Sequence, residues 1–521
     1  MAQTTANSLQ GSGYRLVLAV TIISMFVVGF NTTAILTALP AMKASLDLGS
    51  LALQWVMNAY LLSCAVLIAV MGAFADIFGK TRIFMVGLAI FAVGSIANVF
   101  AGDAAVILLG RTLQGTGAAA IAGVSAAIIS VATPEEKRAQ ALGLWSGTIA
   151  FAFGVGPLIG GVLTDSISWR AIFAVDIVLL AIAAVLHFRV EKLHLVPETL
   201  KPGIRIDYLG VALLIATLGA FVYGLTGGHE AGWSSAQTLV LFAVAVICAA
   251  AFTFAETRVS EPLVNLSFFR ETRYVAAATG MFFAAYLLMG VIYAYNLFVQ
   301  APGALNLTPV QAGLSLLPFT MTMFLLSLTA PRYLEPYSSR WPITLGMLAL
   351  VAGFWLMHLT TDQTPYSSIW WKLIILGIGV GLAYALLPRL GLRALPDESA
   401  GQGSGVINTC IYLGASVGIA VSGIVSDAIH RHEITSAIAD LQPAPSDVKA
   451  LEVALVQGRQ SDINQALAGL SPENADKIKA AMQTVLDDAF VGVMDMMAIV
   501  ALIGAVLAFV LIRGGKPKTG A

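Results

Sequence analysis

The chemistry this chain could do rests on a few polar residues set in strongly apolar surroundings. Arg111 and Gln114 lie inside the apolar run 104–131. Asp176 stands seven residues past Trp169 in the run 169–188, and Asp495 seven residues past Asp488 in the run 487–512. At roughly 1.5 Å per residue, each acid would lie about 10 Å into a helix. A charge inside an apolar span is expensive and is a functional candidate by default. Arg111 therefore serves either a polar cavity or a structural need met by backbone carbonyls. The two acids are either proton carriers, able to load and release a proton from a low-dielectric site, or neutral, hydrogen-bonded scaffold groups. Met494, Met496 and Met497 suggest an apolar setting for Asp495.

Other clusters could position or gate such chemistry. The segment Gly72-Ala-Phe-Ala-Asp76-Ile-Phe-Gly79-Lys80-Thr-Arg82 follows the second apolar run. Gly72 permits close packing, and Gly79 a sharp turn. Asp76 can pair with a base or cap a neighbouring helix, while Lys80 and Arg82 stay on the cytoplasmic side. Gly147, Gly154, Gly156-Pro157 and Gly160-Gly161 occupy the run 139–164. Small residues let helices approach closely and proline permits a bend. Gly401, Gly403, Gly405, Gly414 and Gly418 make the run 401–428 similar. Tyr286, Tyr293, Asn296 and Gln300, at offsets 0, 7, 10 and 14, share one helical face. Aromatics with polar tips suit an amphipathic ligand, although ordinary interhelical packing explains the same residues. Ser24 and Asn31 share a face, and Arg111, Gln114 and Ser125 do so approximately. Trp55 and Tyr60 fit interfacial anchors as well as binding groups. His358 reads as a satisfied or solvated side chain rather than a proton relay.

Several chemistries find no support. There is no Gly-x4-Gly-Lys-Ser/Thr loop for phosphate, so direct ATP drive is unsupported. Gly377, Gly379 and Gly381 sit inside an apolar run without a strand and read as packing glycines, not a dinucleotide loop. Cys64, Cys248 and Cys410 are far apart in apolar runs, which suggests neither a disulfide framework nor a metal site. No cofactor is expected. A net charge of −1 gives no bulk signal for nucleic acid.

The elements that must hold these residues follow from composition. The 521-residue chain is 58% hydrophobic and 11% charged, against about 25% charged in a soluble domain. Its solvent must be largely lipid. A bilayer core needs about 20 apolar residues per helix. Suitable runs lie at 14–38, 51–73, 82–101, 104–131, 139–164, 169–188, 207–226, 236–256, 274–299, 309–330, 341–360, 368–390, 401–428 and 487–512. Fourteen helices place both ends on one side; the runs are too long and unalternating for barrel strands. Residues 1–13 are polar, and the run after them is too long for a signal-peptide core, so it reads as an uncleaved first helix. With the N-terminus inside, Arg15, Lys80, Arg82, Lys137, Arg138, Lys201, Arg205, Arg332, Arg340, Arg389, Arg393 and Arg513 fall on one side, among others, while the other side's short loops hold only Lys43, Arg170 and Lys372. The positive-inside rule then makes both termini cytoplasmic. Residues 429–486 are too polar for the membrane. Ser446 to Gly458, and a second start at Ser471-Pro472-Glu473, read as two amphipathic helices forming an outer cap. A flexible linker is the alternative.

The Gly72–Arg82 segment resembles the signature loop of the major facilitator superfamily, with a degenerate copy at Pro331-Arg-Tyr-Leu-Glu335-Pro-Tyr-Ser338-Ser-Arg340. Arg111-Thr-Leu-Gln114-Gly115-Thr-Gly117 resembles that family's second motif, and the run-five glycines its antiporter motif. Gln54-Trp55-Val56 with Ala59-Tyr60, Trp169-Arg170-Ala-Ile-Phe173, Thr308-Pro309-Val-Gln-Ala-Gly313 with Leu317-Pro318, and Ala400-Gly401-Gln-Gly-Ser404-Gly405-Val-Ile-Asn408-Thr409 are similar to stretches of its fourteen-helix drug:proton antiporter branch. Two departures stand out. That branch usually carries an acid in the first helix, where this chain has Asn31 in Phe30-Asn31-Thr32-Thr33. It tends to have Arg-Gln where Ile411-Tyr412 stand. Asn31 cannot titrate, which excludes proton coupling through it.

The resemblance implies an all-α membrane protein of the major facilitator fold. It implies a six-helix bundle over 1–190, a linker with two inserted helices over 191–260, and a second six-helix bundle over 261–521 carrying the cap. It implies a transporter rather than an enzyme, in the plasma membrane, a bacterial inner membrane if the cap faces a periplasm. Amphipathic small organic molecules would leave in exchange for protons by alternating access, and a periplasmic partner could meet the cap. The implied cavity residues are Asn31, Arg111, Gln114, Tyr286, Tyr293, Asn296 and Gln300. The implied gating residues are Gly72, Asp76, Gly79, Lys80 and Arg82, and the implied antiporter motif is Gly147, Gly156, Pro157, Gly160 and Gly161. Asp176 and Asp495, on repeat-mate helices, are the candidate proton couplers. Two alternatives remain: a dedicated exporter of a siderophore, lipid or metabolite not coupled through the first helix, and a membrane sensor or assembly factor that kept the fold. The intact loop and Arg111 count against the last.

Overall fold

A computed structural model describes residues 2–196, 207–259, 262–301, 304–334, 339–396, 399–439, 441, 451 and 460–512. Every regular element among them is helical. In chain order these are α1 (Ala2–Leu46), α2 (Ser50–Phe78), α3 (Lys80–Val99), α4 (Ala104–Ala132), α5 (Glu135–Ser166), α6 (Arg170–Lys192), α7 (Tyr208–Ala231), α8 (Ala236–Glu256), α9 (Thr272–Gln300), α10 (Pro309–Ser315), α11 (Leu317–Leu334), α12 (Arg340–His358), α13 (Trp370–Leu392), α14 (Ala400–Ala439), α15 (Gln460–Ala468) and α16 (Pro472–Leu511). Thirteen described helices are long and apolar enough to cross a membrane, and α10 with α11, bent by 43°, makes a fourteenth span. The fold is all-α and multi-pass, as the apolar runs require. Gly79 and Gly232, at φ 100° and 91°, sit at helix ends where only glycine is unstrained.

The chain packs as α1–α6 around one another and α9–α14 with α16 around one another. Within the first group α1 lies against α5 and α6, α4 against α2 and α3; within the second α14 and α13 lie against α9, and α12 against α16. The face where α1 begins and α16 ends is called the terminal face, its opposite the far face. Between the groups α2 lies along α14, and α5 along α10 and α11. The α7–α8 hairpin packs on both α2 and α14.

Several helices differ from the expected spans. The first helix starts at Ala2 and runs through Gly11, Gly13 and Pro40 to Leu46, so the polar leader continues the span as helix. The tenth span is broken at Leu316, the end of the short α10 whose start Thr308 and Gln311 close with a capping box, and Pro318 follows two residues later. In the far-face segment only the second expected helix can be followed. Its first expected helix, 446–458, falls outside the described residues apart from Leu451. Its second begins at Ser471, whose hydroxyl caps the N–H of Asn474, but it has no stop. No glycine or proline stands between Glu473 and Gly492, so α16 runs unbroken from the far-face segment through the last span. α14 likewise extends to Ala439. Ile434, Ile438, Leu441, Leu451, Ile463 and Ile478 form a small apolar core of their own above the membrane-spanning region.

Candidate functional site

The N-terminal group holds a polar core that no solvent reaches. Asn31, Arg111, Gln114, Asp176, Ser95 and Asn98 are all 0% exposed. α4 places Arg111 and Gln114 one turn apart on the same side. Arg111 Nη1 donates to Gln114 Oε1 at 2.9 Å and, at very close range, to Asn31 Oδ1 on α1. Asn31 Nδ2 in turn donates to Asp176 Oδ2 on α6 at 2.6 Å. Gln114 Nε2 reaches the same carboxylate oxygen at 3.4 Å and Ser95 Oγ on α3 at 2.9 Å, while Asn98 Nδ2 donates to Gln114 Oε1 at 2.8 Å. Two side-chain amides thus bridge one cation to one acid. Each offers its carbonyl to the guanidinium and its NH2 to the carboxylate.

Arg111 is also fixed from α2. Its Nε donates to Val56 O at 2.8 Å, and its guanidinium lies 4.3 Å from the Tyr60 ring centroid, a cation–π arrangement. Tyr60 Oη donates to Val28 O at 3.1 Å and accepts from Thr32 Oγ1 at 3.3 Å. A backbone carbonyl thus takes one nitrogen of Arg111 and the polar core another. Arg111 Nη2, Asp176 Oδ1 and Asn98 Oδ1 remain buried without a partner. A buried polar group left unpaired costs about 1–3 kcal/mol, so these three atoms mark where this core is incomplete. Ser95 and Asn98 escaped the sequence reading. Their signal was a polar pair three residues apart in the otherwise apolar third run.

The Asn31 side chain explains itself only beside Asp176. An aspartate at 31 would set carboxylate against carboxylate at hydrogen-bond distance, where like charges repel. An amide donates to the acid and accepts from the arginine. Of the residues expected to share faces with this group, Ser24 donates instead to its own helix at Val20 O, 2.8 Å away, and Ser125 accepts from Trp145 Nε1 at 3.0 Å.

The second acid has another setting. Asp495 Oδ1 lies 2.7 Å from His358 Nδ1, at the last residue of α12, and the two side chains are 49% and 40% exposed. Met494 and Met497 are 0% exposed and point into the core, so the methionines around Asp495 occupy faces that the acid does not share. His358 is a paired side chain. The α9 residues also divide. Tyr286 Oη donates to Met496 Sδ on α16 at 2.9 Å, and so reaches across its own group. Asn296 Nδ2 returns to Ile292 O at 2.9 Å. Gln300 Nε2 bonds Asn296 Oδ1 at 3.3 Å and crosses to Thr37 O on α1 at 3.0 Å. Tyr293 is buried on the same helix.

The glycines of α5 work on two sides. A Cβ at Gly156 or Gly160 would collide with Thr33 or Ala34 of α1, and one at Gly161 with the Pro309 backbone of α10; reciprocally, one at Gly313 would meet Leu158 Cα at 2.9 Å and the Pro157 carbonyl. Gly147 meets only Leu328, at an ordinary 3.4 Å. α5 is thus wedged between its own group and the other. The α2–α14 seam carries Gln54 Nε2 to Asp427 Oδ2 at 3.4 Å, Ser416 Oγ to Asn58 Oδ1 at 3.0 Å and Thr409 Oγ1 to Ala65 O at 3.0 Å. The polar cross-group bonds involving Gln54, Asn58 and Gln300 lie toward the far face. At the terminal face Asp76 Oδ1 and Lys80 Nζ lie 3.4 Å apart around Gly79, with Asp76 33% exposed. Thr81 O meets His187 Nε2 of α6 at 3.0 Å, and Arg82 is exposed. Gly72 is not a tight contact: its added Cβ would meet only Gly123 O, at 3.9 Å. Glu335 and Ser338 of the degenerate copy lie outside the described residues.

The family model of the Major Facilitator Superfamily matches residues 21–419. The multidrug resistance protein Stp of Mycobacterium tuberculosis is 32% identical over 79% of this chain and 75% of its own length. The multidrug efflux pump LfrA of Mycolicibacterium smegmatis is 25% identical over 94% of this chain and 95% of its own. Among solved structures, a bacterial homologue of the human lysosomal transporter Spinster, inward-facing and unoccupied, aligns over 96% of this chain and 99% of its own with a TM-score of 0.61 at 15% identity, a likeness of fold.

Proposed function

The chain belongs to the major facilitator superfamily, and on that premise we propose that it is a secondary exporter of amphipathic small organic molecules, in a bacterial plasma membrane, that works by alternating access in exchange for protons through Asp176. The observation that carries the reading is the bridged Arg111–Asp176 core. The acid absent from the first span is present on the sixth, within reach of the same arginine through Asn31 and Gln114. Relatives named for multidrug resistance and efflux support the substrate class.

The mechanism follows from charge. With Asp176 ionised, the buried cation and anion offset one another through two amides. Protonation cancels the anion and leaves Arg111 with an uncompensated charge in a dry site, a state costing several kcal/mol unless the surroundings rearrange. Arg111 Nη2 has no partner in this buried arrangement, so a rearrangement that opens the core would offer it to a polar group of the substrate. Proton loading on Asp176 and occupancy beside Arg111 thus favour different arrangements of α1, α4 and α6, which is the condition for coupling. The two halves, 1–190 and 261–521, would rock on the α2–α14 and α5–α10 seams. With the termini cytoplasmic, the far-face contacts correspond to a closed outer side. Asp76 and Lys80 at the terminal face would gate the inner one.

The test is proton release driven by an aromatic amphiphile such as ethidium in proteoliposomes. Wild type should release protons on substrate addition, and Asp176→Asn should bind substrate without release. A wild type that moves substrate with no proton movement would reject antiport in favour of facilitated export.

A further inference from the structure

A half-open chamber of about 360 Å³ lies outside both helix groups, between α2 and the α7–α8 hairpin. Small-molecule sites range over about 300–1,000 Å³. One wall is aromatic: the Trp55 and Tyr223 ring centroids are 5.6 Å apart at an interplanar angle of 45°. Gln237 gives a polar edge, Leu51 and Leu241 an apolar one, and the described lining side chains are all uncharged. Leu51 and Trp55 stand within two turns of the start of α2, and Gln237 to Leu241 within two turns of the start of α8. At about 1.5 Å per residue the chamber spans the headgroup and upper acyl level of the far leaflet.

Interfacial anchoring accounts for an aromatic ring at that depth, but not for the open space beside it. Gly227 faces the lining, and a Cβ there would meet nothing within 4 Å. The hairpin also sits beside the seam that must part for release to the far side. α7 packs on both α2 and α14, and Gln54, the residue before Trp55, donates across that seam to Asp427. One turn of α2 therefore serves the seam on one side and the chamber on the other.

Resting on the exporter reading above for the origin of its ligand, we propose that the chamber bounded by Trp55, Tyr223, Gly227 and Gln237 is a lateral binding site for uncharged aromatic amphiphiles at the level of the far leaflet. The rings stack on the ligand's aromatic face, Gln237 takes its polar edge, and the lack of a charged lining side chain disfavours ions.

Full-length protein in phosphatidylcholine nanodiscs, photolabelled with an aryl-azide derivative of N-phenyl-1-naphthylamine, tests this by peptide mapping. Label should appear on the peptides carrying Trp55 and residues 223–241, and excess unlabelled naphthylamine should displace it. Gly227→Phe fills the open space and should cut that label at least fivefold, whereas Gly219→Phe, another open position on α7, should leave it. If Gly227→Phe does not fold, Tyr223→Leu, at a 48% exposed side chain, must lower the label likewise. Asp176→Asn should keep the label even where it loses proton coupling. Wild-type labelling in folded Gly227→Phe overturns the proposal. So does label that naphthylamine fails to displace, or that added phosphatidylglycerol displaces in its place, which would mark a lipid site. Displaceable, Gly227-sensitive label in a wild type that exports nothing would sink the exporter reading and leave the site standing.

Discussion

Asp176 and Asp495 stand at matching depths in the sixth and last spans, yet their surroundings have little in common. Asp176 is 0% exposed and touches two amides that lead to a buried arginine. Asp495 is 49% exposed and faces one histidine at the rim of α12 and α16. The difference is rotational. On α6 the acid turns toward α1 and α4, while on α16 residues 494 and 497 turn inward and 495 does not. Depth along a helix is read from spacing; azimuth is decided by which neighbours the helix meets. A carboxyl enclosed with an arginine can couple a proton to conformation, and one at the edge of the helix group meets no arginine among the described residues.

Function should accordingly be lost in the order in which these polar groups are enclosed. The largest effect belongs to Arg111→Ala, which strips the cation and leaves Asp176 alone. Removing one partner of a buried pair costs about 3–5 kcal/mol, so export should fall to background and the melting temperature in detergent should drop. Wild-type export by Arg111→Ala would erase the distinction between the two regions. Asp76 is intermediate, at 33% exposure beside Lys80. Asp76→Asn should slow turnover several-fold while equilibrium substrate binding persists, and unchanged turnover in vesicles would remove its gating role.

These expectations could be framed from sequence because the membrane constraint is severe. Apolar run length yielded the span pattern, and the cost of burying charge singled out Arg111, Asp176 and Asp495. What spacing could not supply was company. Nothing in the chain says that Asn31 and Asp176, 145 residues apart, are hydrogen-bonded, so the amide at 31 looked like a loss. The far-face segment misled for a related reason: its helix start at Ser471 was legible, but its continuity with the last span depends on the absence of any breaker before Gly492. Tyr286 lies on the expected face of α9, yet its hydroxyl finds Met496 within its own group.

The smallest effect should come from Asp495→Asn. An exposed pair contributes about 0–1 kcal/mol, so transport and proton stoichiometry should stay within about twofold of wild type. A loss as large as that of Asp176→Asn would show that enclosure is not what separates the two acids.

The central claim is that the acid paired with Arg111 has moved from the first span to the sixth, and exchanging the two side chains tests it directly. Substrate-driven proton release should be measured in proteoliposomes for Asn31→Asp, for Asp176→Asn and for the double variant. Asn31→Asp sets two carboxylates against one arginine, and Asp176→Asn leaves that arginine without an acid, so both should lose coupling. The double variant restores one acid and one amide around Arg111, and it should recover a substantial fraction of wild-type release. A folded double variant as uncoupled as Asp176→Asn, or an Asp176→Asn that exchanges protons at the wild-type ratio, would contradict the account.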